Sequence, residues 1–342
     1  MKRSLIVVTA SLMLLAACGG DGIEGDPKQA LADAFRGLGQ AEGLTVTATL
    51  QSTAESLQAA AQSEGDRLSE ENAAKILSSS VTVSGKSTTD PSEAQSEIAV
   101  NVAGTENAIQ VRVISNTLYA RADVRSLLET FEQDPASVDA FVQQAEASGL
   151  DFVRPAVDGE WLSISGLDAM QQQLGMGQPT PSGVELERVF DRFAEDIEGK
   201  ATVTEGDVDG PGTHLIVEIG ARDVVDSFLN LARELGQAIP PNAFPSPSDI
   251  PDRQIRVNTW VEGDFVRQIE LDFLQFAAFE GEDIPEGVDE LALRLGIDEF
   301  DEDVEAPGDA VQVDPNQILQ LLFGGAPMTG LPGEGVELEP AP

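Results

Sequence analysis

The chain of 342 residues carries 20 Lys and Arg against 60 Asp and Glu, one His and one Cys, with 41% hydrophobic residues and a net charge of −40. That hydrophobic content supports a sizeable core, and the charge excludes a surface that neutralises a run of nucleic-acid phosphates. A single Cys excludes a disulfide framework or a cysteine-rich metal site, and a single His leaves at most one imidazole base, so neither an enzyme nor a cofactor is expected.

Residues 1–17 read as a signal peptide: Lys2 and Arg3 precede an apolar stretch, Leu5 to Leu14, too short to span a bilayer as a permanent helix. The stretch ends in Leu15-Ala16-Ala17-Cys18, which resembles the bacterial lipobox. The resemblance implies a diacylglyceryl group on Cys18, cleavage just before it, and attachment to the outer side of the cell membrane. Removing residues 1–17 takes away two basic residues and no acid, leaving 18 basic against 60 acidic. Two acyl chains, at about 0.8 kcal/mol per buried methylene, hold such a chain to a membrane firmly. Residues 18–26, rich in Gly and Asp, read as a flexible tether.

From there strands alternate with helices. Asp26-Pro27 caps a helix carrying Leu31, Ala34, Phe35 and Leu38. Leu44, Val46, Ala48 and Leu50 alternate with Thr45, Thr47, Thr49 and Gln51, as a strand with one apolar face does. Residues 54–77 read as helical, with Ser69 an N-cap. Short alternating runs follow at 80–86, 95–103, 108–114 and 117–122, then helical patterns at 123–132 and 136–147. After a short strand at Trp161–Ile164 comes a helix bearing Leu186, Val189, Phe190 and Phe193. A hairpin pairs 200–206 with 213–219, and a helix over 221–235 stops at Gly236. Beyond a Pro-rich loop at 237–251, strands 254–261 and 265–273 turn tightly at Gly263-Asp264, and Leu291 to Ile297 alternate again. Asp314-Pro315 caps a last helix with Ile318, Leu319, Leu322 and Phe323, and 324–342 reads as a disordered tail.

The pattern predicts an α+β fold: about eleven hairpin-connected strands in a large antiparallel sheet, one face wet and the other covered by helices. Residues 27–323 form one domain on this reading, with two packed halves divided near residue 150 as the alternative.

The lipobox, the N-terminal helix, the strand ending Leu118-Tyr119-Ala120-Arg121, the following Gly159-Glu160-Trp161-Leu162 and the late Val304-Glu305-Ala306-Pro307 resemble actinobacterial cell-envelope lipoproteins. The order of elements over residues 27–310 is similar to the LolA-like fold and the mycobacterial LppX/LprG lipoproteins. That resemblance implies an antiparallel half-barrel wrapped around helices and an apolar cavity that holds acyl chains. It transfers no ligand-binding residue by motif, and the helical stretches at 53–77 and 123–150 read as insertions.

Read from the residues, Ile109, Val111, Val113, Leu215, Val217, Ile219, Ile255, Val257, Ile269 and Leu271 form the candidate inner surface. Phe131, Phe141, Phe190, Phe193 and Phe228 form a candidate helical lid. The same periodicity serves a dry core equally well. Chemistry-bearing constellations are weak. His214 falls on the face opposite Leu215 and Val217, as a solvated strand residue. Asp207, Asp209, Gly212 and Glu218 sit at EF-hand offsets but in a hairpin with Pro211 inside it, and Asp298–Asp303 reads as a solvated acidic turn. Trp161, Trp260 and Tyr119 are too scattered in sequence for a sugar platform. The function expected is binding, and carriage, of an acylated lipid or lipoglycan, with the membrane as partner through Cys18. A structural or protein-interaction lipoprotein with a dry core is the alternative.

Overall fold

The computed structural model describes residues 25–318, apart from 64, 87, 89–92, 94, 135, 168–182, 208–209, 235–249, 251 and 281–283. Its helices are α1 (Pro27–Gln40), α2 (Ala54–Ser63), α3 (Glu70–Leu77), α4 (Val124–Thr130), α5 (Ala136–Ala147), α6 (Val153–Val157), α7 (Gly183–Lys200), α8 (Ala221–Glu234) and α9 (Leu274–Glu280). Its strands are β1 (Gly43–Ser52), β2 (Ser80–Lys86), β3 (Gln95–Val102), β4 (Thr105–Ile114), β5 (Thr117–Ala122) and β6 (Leu162–Ser165), followed by β7 (Thr202–Glu205), β8 (Thr213–Gly220), β9 (Gln254–Glu262), β10 (Phe265–Asp272), β11 (Leu291–Glu299) and β12 (Val311–Gln312).

All twelve strands join one open sheet in the order β12-β6-β5-β4-β3-β2-β1-β11-β10-β9-β8-β7. Strand β1 lies near the middle. From it the chain meanders outward to β6, restarts at the far edge with β7, and meanders back until β11 pairs with β1. The sequence reading finds eleven of these strands. The twelfth, β12, is two residues long and pairs in parallel with β6, joining Val311 to Leu162.

A strap of residues 300–310 makes that last connection. Phe300 N–H donates to Gly43 O (2.9 Å), Lys86 pairs with Asp303 at 2.6 Å, and Val304 N–H donates to Gln95 Oε1 (3.0 Å). Arg112 Nη1 donates to Glu305 O (2.9 Å) before the chain reaches β12. The strap thus crosses β1, β2, β3 and β4 and fastens the two meanders together.

Alternation separates the sheet's faces. On one, Thr45 and Ser84 hydroxyls meet at 2.9 Å, Thr47 and Thr82 at 3.2 Å, and Glu97–Arg112 and Glu270–Arg294 ion pairs span neighbouring strands. The other face is apolar and carries two buried clusters. The first gathers Leu31, Ala34 and Leu38 of α1 and Ile197 of α7 with Leu215, Val217, Val261, Val266 and Ile297. The second gathers Val142 and Ala145 of α5, Leu150, Phe152, Val153 and Val157 with Ile164 and Val313.

Helix α1 reaches its place because its start and its surface both suit it. Asp26 accepts from Lys28 N–H (3.1 Å) with Pro27 following, which satisfies an orphan donor at the helix start. At Gly37 a Cβ would collide with the backbone carbonyl of Asp264 in the β9–β10 turn, so only glycine lets the helix settle this close to the sheet. Ser69 caps α3 as read, accepting from Asn72 N–H at 3.1 Å.

Candidate functional site

The inner face can be followed strand by strand through its pairings. Val83 lies between Val46 and Ile98, Ile98 pairs on with Val111, and Val111 with Ala120. One row along, Val81 lies between Ala48 and Val100, and Val100 meets Ile109. In the other direction Ala48 meets Leu295, then Ile269 and Thr259. The paired positions of this face carry no charge except Glu205 and Glu299 at strand ends. An uncharged apolar surface of that extent is stable in water only where something covers it.

Cover is uneven. Over β8–β11 it is closest around the first core, where Leu215 is 0% exposed beneath α1 and α7. Over β5 and β6, Leu118, Leu162 and Ile164 pack beneath α5 and α6. Between them the floor lies open, with Val81 40%, Val83 44% and Ile98 41% exposed. Two adjacent strands, a strip about 10 Å across with their margins, thus expose branched apolar side chains between two packed cores. The result is an apolar groove on the inner face. On the helices, Phe35 of α1 and Phe193 of α7 have ring centroids 6.2 Å apart, and Phe131 after α4 and Phe141 on α5 are exposed.

The expected lining residues divide accordingly. Leu215 and Val217 are buried in the first core, and Phe190, Ile219, Val257 and Ile269 pack against it. Ile109, Val111, Val113, Ile255 and Leu271 are half-buried on the same face. Phe193, Phe131 and Phe141 are exposed, while the Phe228 side chain and the whole of residues 1–24, with Cys18, lie outside the described residues. Val81, Val83 and Ile98 were not among the expected residues. Their alternation with Ser80, Thr82, Ser84 and Glu97 was the available signal, and it gives the face without telling which part of the face is bare.

Helix α7, which covers the first core, is fastened to α8 through a buried carboxylate. Asp196 is bound by Lys200 Nζ at 2.7 Å, and the same ammonium donates to Ser227 Oγ of α8 at 2.9 Å. Burial alone would raise the Asp196 pKa. The Lys200 and Ser227 hydrogen bonds and the charges of Lys200 and Arg192 outweigh burial and hold it below the ordinary carboxylate range.

The polar face corrects one expectation and enlarges another. His214 is indeed opposite Leu215, but it is not simply solvated: its ring stacks on Trp260 at 4.5 Å and 8°. Gly206 and Gly210 of the loop between β7 and β8 lie so close to that stack that a Cβ on either would meet a ring. Trp161 is flanked by the guanidinium groups of Arg112 (4.8 Å) and Arg121 (5.1 Å), so the two motifs read separately in the sequence meet in space. The EF-hand spacing stays a hairpin, since Glu218 pairs with Thr202 at the end of β8 away from Asp207. Among the described residues no group of three or more His, Cys, Asp or Glu gathers as a metal site, and no helix is long and apolar enough to cross a membrane.

Two solved structures are similar to this chain. The chain is similar to the lipoprotein LppX of Mycobacterium tuberculosis, at 10% identity and a TM-score of 0.33, over 83% of this chain and 100% of that one. It is similar also to LprF of Mycobacterium bovis, at 12% identity and a TM-score of 0.36, over 84% of this chain and 100% of that one. No family model and no curated protein matches the chain. At such TM-scores the likeness carries no argument about ligand or activity, and the groove has to speak through its own residues.

Proposed function

We propose that this protein is a lipid-anchored cell-envelope lipoprotein whose inner groove binds, and hands on, the acyl part of a lipid or lipoglycan. The observation that carries the reading is the open strip Val81, Val83 and Ile98 in an uncharged face, flanked by two packed cores. Such a floor offers neither charge nor hydrogen bond, so what it selects is hydrocarbon. The energetics set a minimum length. At about 0.8 kcal/mol per buried methylene, ten methylenes gain about 8 kcal/mol. Loss of translational and rotational freedom offsets about 4–15 kcal/mol of that. Short chains therefore bind weakly, and only long acyl chains reach useful affinity.

The anchor follows from the N-terminal reading. Cys18 carries the diacylglyceryl group after removal of residues 1–17, residues 18–26 tether the folded part, residues 27–323 form one domain and 324–342 a tail. The acidic surface keeps the body from anionic head groups within the Debye distance of about 8 Å. Binding needs no covalent chemistry, and none is assigned.

The test uses a soluble Cys18→Ser form lacking residues 1–17, produced in a lipid-rich bacterial host. Native mass spectrometry with organic extraction should find a discrete lipid in stoichiometric amount. A clean apo mass that persists after incubation with envelope lipids would overturn the proposal in favour of a protein-interaction role for the same face.

A further inference from the structure

We infer that the polar face of the sheet is a second binding site, a shallow channel for a neutral polysaccharide lying across the strands from Trp161. The inference does not depend on the groove, which lies on the opposite face.

The strand pairings place both tryptophans of the chain in one row. From Trp161, just before β6 and stacked against Arg121 of β5, the row passes to Gln110, Ala99, Thr82 and Thr47 on the next four strands. It continues through Gly296 and Gln268 to Trp260, which pairs with His214. Eight steps between neighbouring strands make the row about 38 Å long. In a chain with 60 acidic residues, this row holds none. Glu97, Asp298 and Glu270, which border it, are each held by an arginine: Arg112 at 2.6 Å, Arg267 at 3.8 Å and Arg294 at 2.8 Å.

What the row offers is polar and uncharged. Thr82, Thr47 and Gln268 are half-buried, and their hydroxyls and amide both donate and accept. Ala99 and Gly296 are shorter than their neighbours, so the row is lower there and forms a channel. At the far end Trp260 is 5% exposed, closed in by His214 and the loop at Gly210, so Trp161 is the aromatic that a ligand reaches. Trp161 is half-buried, as is Tyr119 on the same face. Among the described residues, the side chains of Trp161, Tyr119 and Arg121 make no hydrogen bond or ion pair. Stacking on Trp161 holds the Arg121 fork in place and leaves its N–H groups for an outside acceptor.

An aromatic ring beside unspent donors, opening onto uncharged hydroxyls, suits a sugar chain: its C–H faces pack on rings, and its hydroxyls donate and accept. Charge decides against a polyanion, because a net charge of −40 repels one and leaves a neutral polymer unaffected.

The test is affinity electrophoresis of the soluble Cys18→Ser form through native gels containing dextran, mannan or laminarin, with polygalacturonate as the anionic control. At least one neutral polymer should retard the protein, and polygalacturonate should not. Trp161→Ala should raise the apparent dissociation constant about tenfold, and Arg121→Ala about threefold. Thr82→Glu, which puts a carboxylate in the middle of the row, should also weaken binding. Should Trp161→Ala fail to fold, Arg121→Ala and Thr82→Glu carry the test. Val83→Asp, on the inner face, should bind the polymer as the wild type does, which separates this site from the groove. Absence of retardation by all three neutral polymers overturns the proposal, as does retardation by polygalacturonate alone. Retardation that is unchanged in Arg121→Ala and Thr82→Glu, or abolished in Val83→Asp, overturns the assignment to this face.

Discussion

The two sides of β1 begin from the same sequence pattern and end in opposite states. On one side, Leu293, Leu295 and Ile297 of β11 alternate with polar residues, as Ile269 and Leu271 do on β10, and here Ile297 and Ile269 join the core that α1 and α7 cover. On the other, Val81 and Val83 of β2 and Ile98 of β3 alternate just as regularly and stay two-fifths exposed. Local pattern does not separate them. What separates them is whether a helix crosses above, and that is decided far away in the chain, by Leu31 and Leu38 in α1 and Ile197 in α7. Alternation assigns a side chain to a face, while burial depends on the elements that later fold over it.

The sharpest way to break this comparison is to truncate one residue on each side. Leu215→Ala removes a fully buried side chain from the first core and should cost about 2–5 kcal/mol, lowering the thermal midpoint by several degrees. Val83→Ala, at the open strip, should cost less than about 1 kcal/mol. Urea denaturation of both variants decides the matter: equal losses would mean that the strip is as tightly packed as the core.

The covered side also depends on α7 staying fastened to α8. Asp196→Ala removes the carboxylate that binds Lys200, and it should cost about 1–3 kcal/mol, below the range for fully buried pairs because Lys200 reaches solvent. The pH sign follows from the direction of the shift. The folded-state pKa of Asp196 is depressed, so its contribution is fully present above the unfolded carboxylate value of about 3.9 and fades as pH falls through the lower folded value. The wild-type protein should therefore lose stability in acid more steeply than Asp196→Asn, as followed by thermal melts from pH 6 to pH 3. Parallel curves would show that the carboxylate contributes nothing specific.

Much of this architecture is legible in the residues, and the parts that are not share a cause. The hairpin at Gly263-Asp264, the cap at Asp26 and the inner face of β4 follow from local spacing, because turns, caps and alternation act over a few residues. Strand β12 escapes because two residues have no period and their partner in β6 lies far back in the chain. Helix α6 is five residues long, too short to show a helical face, and α9 was not read from the sequence. The helical region read over 54–77 starts its second helix at the Ser69 cap, as read, while the end of α2 before the turn at Gly65 carries no such local signal. His214 was placed on the correct face, but its stack on Trp260 depends on a neighbouring strand. The groove belongs with these failures: its face is written in β2 and β3, and its openness is written nowhere local.

A charge on the open strip should sharpen the contrast. Val83→Asp places a carboxylate where it is solvated, so the loss of stability should stay within about 1 kcal/mol. The same carboxylate would have to be desolvated by any acyl chain lying over it, so co-purifying lipid should fall below detection in the extraction assay. A folded Val83→Asp protein that still retains lipid would move the binding site off β2 and β3.

The smallest effect is expected on the polar face, and it tests whether the inner face acts alone. Arg121 lies over Trp161 at 5.1 Å, whereas Arg112, on the same ring, also holds Glu97 and the strap at Glu305. Arg121→Ala therefore removes one cation–π contact and leaves the strap attached, for a loss of about 0.5–1 kcal/mol. Arg112→Ala should lose more than Arg121→Ala, because it also frees Glu97 and the strap carbonyl. Because the sheet separates these residues from Val83 and Ile98, lipid content should be unchanged in Arg121→Ala. A loss of lipid there would mean that the groove depends on both faces of the sheet.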